Sequence, residues 1–182
     1  MRRISLVLVA GTLLLALSAP PALAGPATTS TIVTRDAFVT QIGSFRPGSN
    51  PRLSAAIRAF GRPTSRRGRG SACTVRWRSI GLKIVFANFG APGVSTCRPS
   101  IGRAQSFVAA GGQFATQTGL RPGQPSAQIR TLYPNASFER GAWTLVSAVN
   151  PFGDGSEGPV LRAFTKGGQV ASLSGWIGGA GE

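Results

Sequence analysis

The chain of 182 residues carries 20 Lys+Arg against 5 Asp+Glu and no histidine, a formal net charge of +15. That balance excludes histidine-based acid–base catalysis and histidine metal ligation, and it directs attention to anionic partners. Arginine supplies nearly all of the charge, since Lys83 and Lys166 are the only lysines.

The first residues read as an export signal. Met1-Arg2-Arg3 is a positive start, Ile4–Leu17 is apolar, and Ala22-Leu23-Ala24 has the small-x-small pattern of a cleavage site. The apolar run is shorter than the roughly 20 residues a spanning helix needs. Cleavage after Ala24 is expected, with no transmembrane segment in the mature chain and a secreted or extracytoplasmic location. The paired arginines are only a weak signal for twin-arginine export. In an oxidising compartment Cys73 and Cys97, the only cysteines, are expected to form one disulfide, worth roughly 3–4 kcal/mol for a loop of about 25 residues.

Residues 25–34 are small and polar and read as a flexible leader. Asp36–Ile42 reads as extended, and Pro47-Gly48 as a turn. Asn50 and Pro51 then open a helix with Leu53, Ala56, Ile57 and Phe60 on one stripe, closed by Gly61. Gly61–Ala72 has no apolar anchor and reads as a mobile, Arg-rich loop. Cys73–Arg78 and Leu82–Ala87 alternate apolar and polar residues, which predicts a two-stranded ribbon with Val75, Trp77, Leu82, Ile84 and Phe86 inside. Gln105–Ala109 and Gln113–Thr118 flank Gly111-Gly112, and Val160–Thr165 and Gln169–Ser174 flank Gly167-Gly168, so two glycine-turned hairpins are expected. A second short helix is expected over Pro125–Tyr133 and a further strand over Trp143–Val149.

Two stretches match in order. Phe38-Val39-Thr40-Gln41-Ile42-Gly43 parallels Phe114-Ala115-Thr116-Gln117-Thr118-Gly119. Each is followed by Arg-Pro-Gly, at Arg46–Gly48 and Arg121–Gly123, and then by Ile-Arg, at Ile57-Arg58 and Ile129-Arg130. Recurrence at this spacing predicts a duplicated unit. The expected fold is α+β: two tandem pseudo-repeats, residues 35–112 and 113–182, each a short helix packed on an antiparallel sheet of three to four strands.

The turn Gly119-Leu120-Arg121-Pro122-Gly123, the helix ending in Leu132-Tyr133-Pro134 and the hairpin-rich remainder resemble a group of uncharacterised secreted proteins common in actinobacteria. In outline, the repeat is also similar to the tandem modules of β-lactamase-inhibitory proteins and to small outer-membrane assembly lipoproteins. The resemblance implies a secreted module of repeated helix and strands, with no contact residue carried over.

The chemistry points to binding rather than catalysis. No cofactor and no metal is expected. Glu139 with Asp154 or Glu157 is the one carboxylate pairing that a small secreted hydrolase could use, and Asp154-Gly155-Ser156-Glu157 is too poor in ligands for Ca²⁺. The Gly-Gly-Gln triplets read as hairpin turns, not as a peptidyl-tRNA hydrolysis motif. Asn135-Ala136-Ser137 fits the glycosylation pattern only in a eukaryotic pathway. The candidate binding residues are cationic: Arg62, Arg66, Arg67 and Arg69 in the loop, Arg76, Arg78 and Lys83 on the ribbon, and Arg162 in the second unit. Such a surface suits carboxylates and phosphates. The expected partner is a protein or an anionic cell-envelope polymer, with no specific nucleic acid; a passive envelope component is the third alternative. Trp77, Phe86, Trp143 and Phe164 are expected in the core, and Phe89, Phe152 and Trp176 at strand ends where an interface would use them.

Overall fold

The computed structural model describes residues 28–48, 50–88, 95–149 and 157–177. The expected signal segment, Asp154, Phe89 and Phe152 lie outside them. Among the described residues the chain is α+β. A hairpin of β1 (Ser30–Arg35) and β2 (Phe38–Ile42) precedes helix α1 (Leu53–Phe60) and four strands, β3 (Ser65–Arg69), β4 (Ala72–Trp77), β5 (Leu82–Ala87) and β6 (Arg103–Ala109). A short β7 (Phe114–Thr116) leads to helix α2 (Gln128–Leu132). Four more strands follow: β8 (Ser137–Glu139), β9 (Ala142–Val149), β10 (Glu157–Lys166) and β11 (Gln169–Trp176).

These strands form two sheets. The larger has eight strands in the order β3-β4-β5-β6-β11-β10-β9-β8, and every neighbouring pair is antiparallel. Its two halves are each one helix followed by four strands, and they meet at β6 and β11, the last strand of each. The smaller sheet has the order β2-β1-β7, with β1 and β7 parallel. Here the two matching stretches flank β1 on opposite sides.

The period-2 patterning of β4 and β5 puts Val75, Trp77, Leu82, Ile84 and Phe86 on one fully buried face, as the sequence predicts. Helix α1 packs there: the Phe60 ring lies 5.6 Å from Trp77 and 6.0 Å from Phe45. Asn50 Oδ1 accepts a bond from Arg52 N at 3.2 Å, ordering the turn into the helix. At the other end, Gly61 (φ 76°) donates its N–H to Ile57 O, while its carbonyl accepts from Trp77 Nε1 at 2.8 Å. The small sheet covers the same face through β2. Gly175 of β11 has no side chain because Val39 Cγ2, Phe107 Cε1 and the Val160 carbonyl would all stand within 3.0 Å of its Cβ. The helices and the small sheet therefore lie on one side of the large sheet.

Three local expectations are corrected, and one strand is added to them. Ser30–Arg35 is not leader but the central strand of the small sheet, with Ile32 fully buried. The second half of the Gly61–Ala72 loop is an edge strand, β3, paired residue by residue with β4. Periodicity misses it because β3 has no apolar side chain; the backbone ladder alone holds it in place. The Gly111-Gly112 turn does not make a hairpin. Beyond it, Phe114, Ala115 and Thr116 are all buried and pair with β1, while Gln113 Nε2 donates to Ile80 O at 2.6 Å. Finally, β8 occupies a stretch with no strand pattern, turned into β9 by Arg140-Gly141. The Gly167-Gly168 hairpin stands as expected, both residues at positive φ (59° and 75°).

Candidate anion-binding face

The far side of the large sheet carries the polar half of each alternation. On β3, Ser65, Arg67 and Arg69 share the outward face, opposite Arg76, Thr74 and Ala72 of β4. Arg76 stands in turn opposite Lys83 of β5. Five of these, Ser65, Arg67, Arg69, Thr74 and Arg76, together with Gly68, line an open hollow of about 360 Å³. Thr74 sits at its centre. Arg67 is its direct cross-strand partner, and Arg69 and Arg76 are each one outward position along the strands. Side chains so related are roughly 5–8 Å apart, within reach of a guanidinium fork. Among the described residues no carboxylate lines the hollow.

The hairpin that carries this cluster is tied down from behind. Cys73 and Cys97 form the expected disulfide. Cys73 is fully buried opposite Gly68, and a Cβ on Gly68 would lie 3.5 Å from Cys97 Sγ. The sulfur bridge thus backs the strand whose other face presents Arg67 and Arg69.

The register extends the row across the whole sheet as Ser65, Arg76, Lys83, Val108, Ser174, Arg162, Thr144 and Ser137. Arg162 is in this row but three strands from Lys83, roughly 14 Å away. It belongs to a different neighbourhood: its guanidinium lies 5.5 Å from the Phe164 ring and its Nη2 donates to Glu139 O at 3.3 Å. Arg66 alternates to the opposite face of β3, exposed beside Val75. Arg62 lies in the exposed link before β3. Arg78 is in the short turn between β4 and β5, where its N–H donates to Thr64 Oγ1 at 3.0 Å. Of the eight cations picked out from the sequence, the fold gathers Arg67, Arg69 and Arg76 into one hollow with Lys83 beside it; the other four stand apart.

Sequence reasoning missed Ser65 and Thr74, whose hydroxyls join the hollow. Their positions in the alternation of β3 and β4 carried the signal, but only once β3 is known to be a strand. Phe164, expected in the core, is outward-facing and 36% exposed. Trp176, expected at a rim, is 57% exposed on the outward face of β11, opposite Ser106 and in the row that leads through Val85 and Thr74 to Arg67. Trp77 and Phe86 are buried and Trp143 is partly so, with Arg130 of α2 stacked 5.0 Å from its ring.

Glu139 and Glu157 do not converge, and Asp154 lies outside the described residues. Glu139 pairs with Ala142 and Glu157 with Val149, at opposite ends of β9, so their backbones are roughly 20 Å apart at about 3.3 Å per residue. A two-carboxylate hydrolase needs about 5–10 Å. Among the described residues there is no group of three or more His, Cys, Asp and Glu that could hold a metal ion, and no helix is long and apolar enough to cross a membrane.

Comparison with known proteins gives no match: no family model, no curated protein and no solved structure is similar to the chain.

Proposed function

We propose that this chain is a secreted, non-catalytic binding protein whose basic sheet face contacts an anionic partner, a protein or a cell-envelope polymer. The observation that carries the reading is the hollow on β3 and β4, where Arg67, Arg69 and Arg76 crowd together with no carboxylate among the described residues that line it. A strand face neutralised for stability alone would interleave acids with these bases. The Arg-rich segment contributes to the site as an ordered edge strand instead of a loop, so its guanidinium groups are held in register with those of β4.

The scaffold is read as a duplicated helix-plus-strands unit. Support comes from the mirrored strand order about β6 and β11, and from Phe45 and Leu120, which precede the two Arg-Pro-Gly turns and are both fully buried. Export rests on the leader ending at Ala24 and is supported by the disulfide. N-terminal sequencing of protein recovered from the medium should begin at Gly25.

The test of the binding reading is a pull-down from envelope and culture medium with three baits: wild type, an Arg67→Ala/Arg69→Ala/Arg76→Ala variant, and Arg66→Ala. A partner lost with the triple variant and kept with Arg66→Ala supports the outward face as the site. Identical recovery by all three would leave the chain as a passive envelope component.

A further inference from the structure

We infer that the hollow between β3 and β4 recognises a terminal phosphoryl group, a phosphate monoester, in preference to a carboxylate or a phosphodiester. This rests on the anionic-partner reading above and names its chemistry. Among the described residues five polar side chains line the hollow, three guanidinium groups and two hydroxyls, and each of them can donate hydrogen bonds. A carboxylate or a diester brings one charge and two terminal oxygens, too few to satisfy three adjacent cations. A phosphate monoester brings about −1.5 to −2 charges at neutral pH and three strong acceptor oxygens. Its tetrahedral oxygens match donors arriving from several directions, and arginine forks bind such oxygens in pairs.

The placement of the donors fits that ligand. Arg67 faces Thr74 across the strand pair, Arg69 lies on its diagonal, and Arg76 stands two residues along β4 on the same face. Ser65 stands opposite Arg76, and Ala72, opposite Arg69, adds little bulk. The second hollow of similar size, about 350 Å³ beside α1, is lined by Phe45, Ala55 and Ala59 as well as by Ser44, Arg46, Asn50 and Arg58; it has two guanidinium groups to the first hollow's three, its Arg46 already has a partner, and its Ser44 hydroxyl already donates to Ala59 O. It offers a phosphoryl group fewer donors.

The same headgroup chemistry occurs on a lipid and on a soluble ester, so the experiment carries both. The mature chain is titrated with inorganic phosphate, with a sugar phosphate and with acetate, following backbone amide shifts. Its binding to vesicles containing phosphatidic acid is compared with binding to vesicles of phosphatidylglycerol at matched surface charge. The expected result is saturable phosphate binding, with shifts centred on β3 and β4 and none with acetate. Arg67→Ala and Arg76→Ala should each weaken it about tenfold or more, as loss of a hydrogen bond to a charged group does. Arg66→Ala should change it less than about twofold, since an exposed charge on the other face contributes only screened attraction. Arg67→Lys/Arg76→Lys keeps charge and fold while removing the forks, and should erase the preference for phosphate over acetate.

A preference for phosphatidic acid vesicles identifies the lipid source; binding of the soluble esters alone identifies the other. If acetate and phosphatidylglycerol bind as tightly as their monoester counterparts, yet still depend on Arg67 and Arg76, the phosphoryl inference fails and the anionic face survives. If Arg66→Ala weakens binding as much as the others, both fail, because the attraction is then only net charge. No binding to any of these probes overturns the phosphoryl inference, and the pull-down decides the wider reading independently.

Discussion

Arg76 and Lys83 stand directly opposite each other on β4 and β5, both on the outward face of the sheet. Like charges in direct cross-strand register are destabilising, where a Thr–Thr pair would be favourable, and the difference is about 0.2–1 kcal/mol. Arg76→Thr and Lys83→Thr should therefore each raise the urea midpoint slightly. Arg76→Thr should at the same time weaken anion binding. A gain in stability coupled to a loss of binding marks the pair as functional; a loss of stability would mean that the two side chains are held by contacts that offset their repulsion.

The disulfide gives a second expectation. Residues 73 and 97 close a loop of sequence separation 24. Cys73→Ala/Cys97→Ala should lower the unfolding free energy by roughly 3–4 kcal/mol. Because the bridge sits behind Gly68, amide exchange in β3 and β4 should rise more than in β9 and β10. Uniform acceleration across both halves would show that the bridge acts only on the unfolded chain.

Gly175 tests the junction of the two sheets. A methyl group there meets the Val160 carbonyl at 2.7 Å and Val39 and Phe107 at 2.9 Å, so the strand or the small sheet has to move. Gly175→Val should cost about 1–3 kcal/mol or more, as overpacking does. Gly158→Ala on the neighbouring strand meets nothing within 4 Å and should be close to neutral. Equal thermal shifts for the two would refute this packing.

Trp77 joins the first ribbon to helix α1. It is almost wholly buried, stacks edge-on with Phe60 and donates to the carbonyl of Gly61. Trp77→Phe keeps the ring but loses that bond and leaves the Gly61 carbonyl without its partner, at a cost of about 1–3 kcal/mol. Calorimetry on this variant and on Trp77→Ala, expected to lose about 3–5 kcal/mol, separates the hydrogen bond from the volume.

The composition, the alternation of β4 and β5 and the stop signals of α1 were enough to place the best-defined parts of the fold. Each is a local pattern of side chains, and each is repeated in the structure: Val75, Trp77, Ile84 and Phe86 are buried, Gly61 ends the helix, and Cys73 meets Cys97. The absence of histidine and the excess of arginine likewise limit the chemistry by composition alone. What only the tertiary structure decided depends on partners distant in sequence. β3 is a strand because β4 offers it a ladder, although none of its own side chains is apolar. β7 leaves its neighbour β6 because β1, far back in the chain, provides a buried edge. The separation of Arg66 from Arg67 and Arg69, and the addition of Ser65 and Thr74 to them, follow from that one strand assignment. Side-chain patterning reports which face is dry; it is silent on which backbone finds which, and pairing is what brings the cations together.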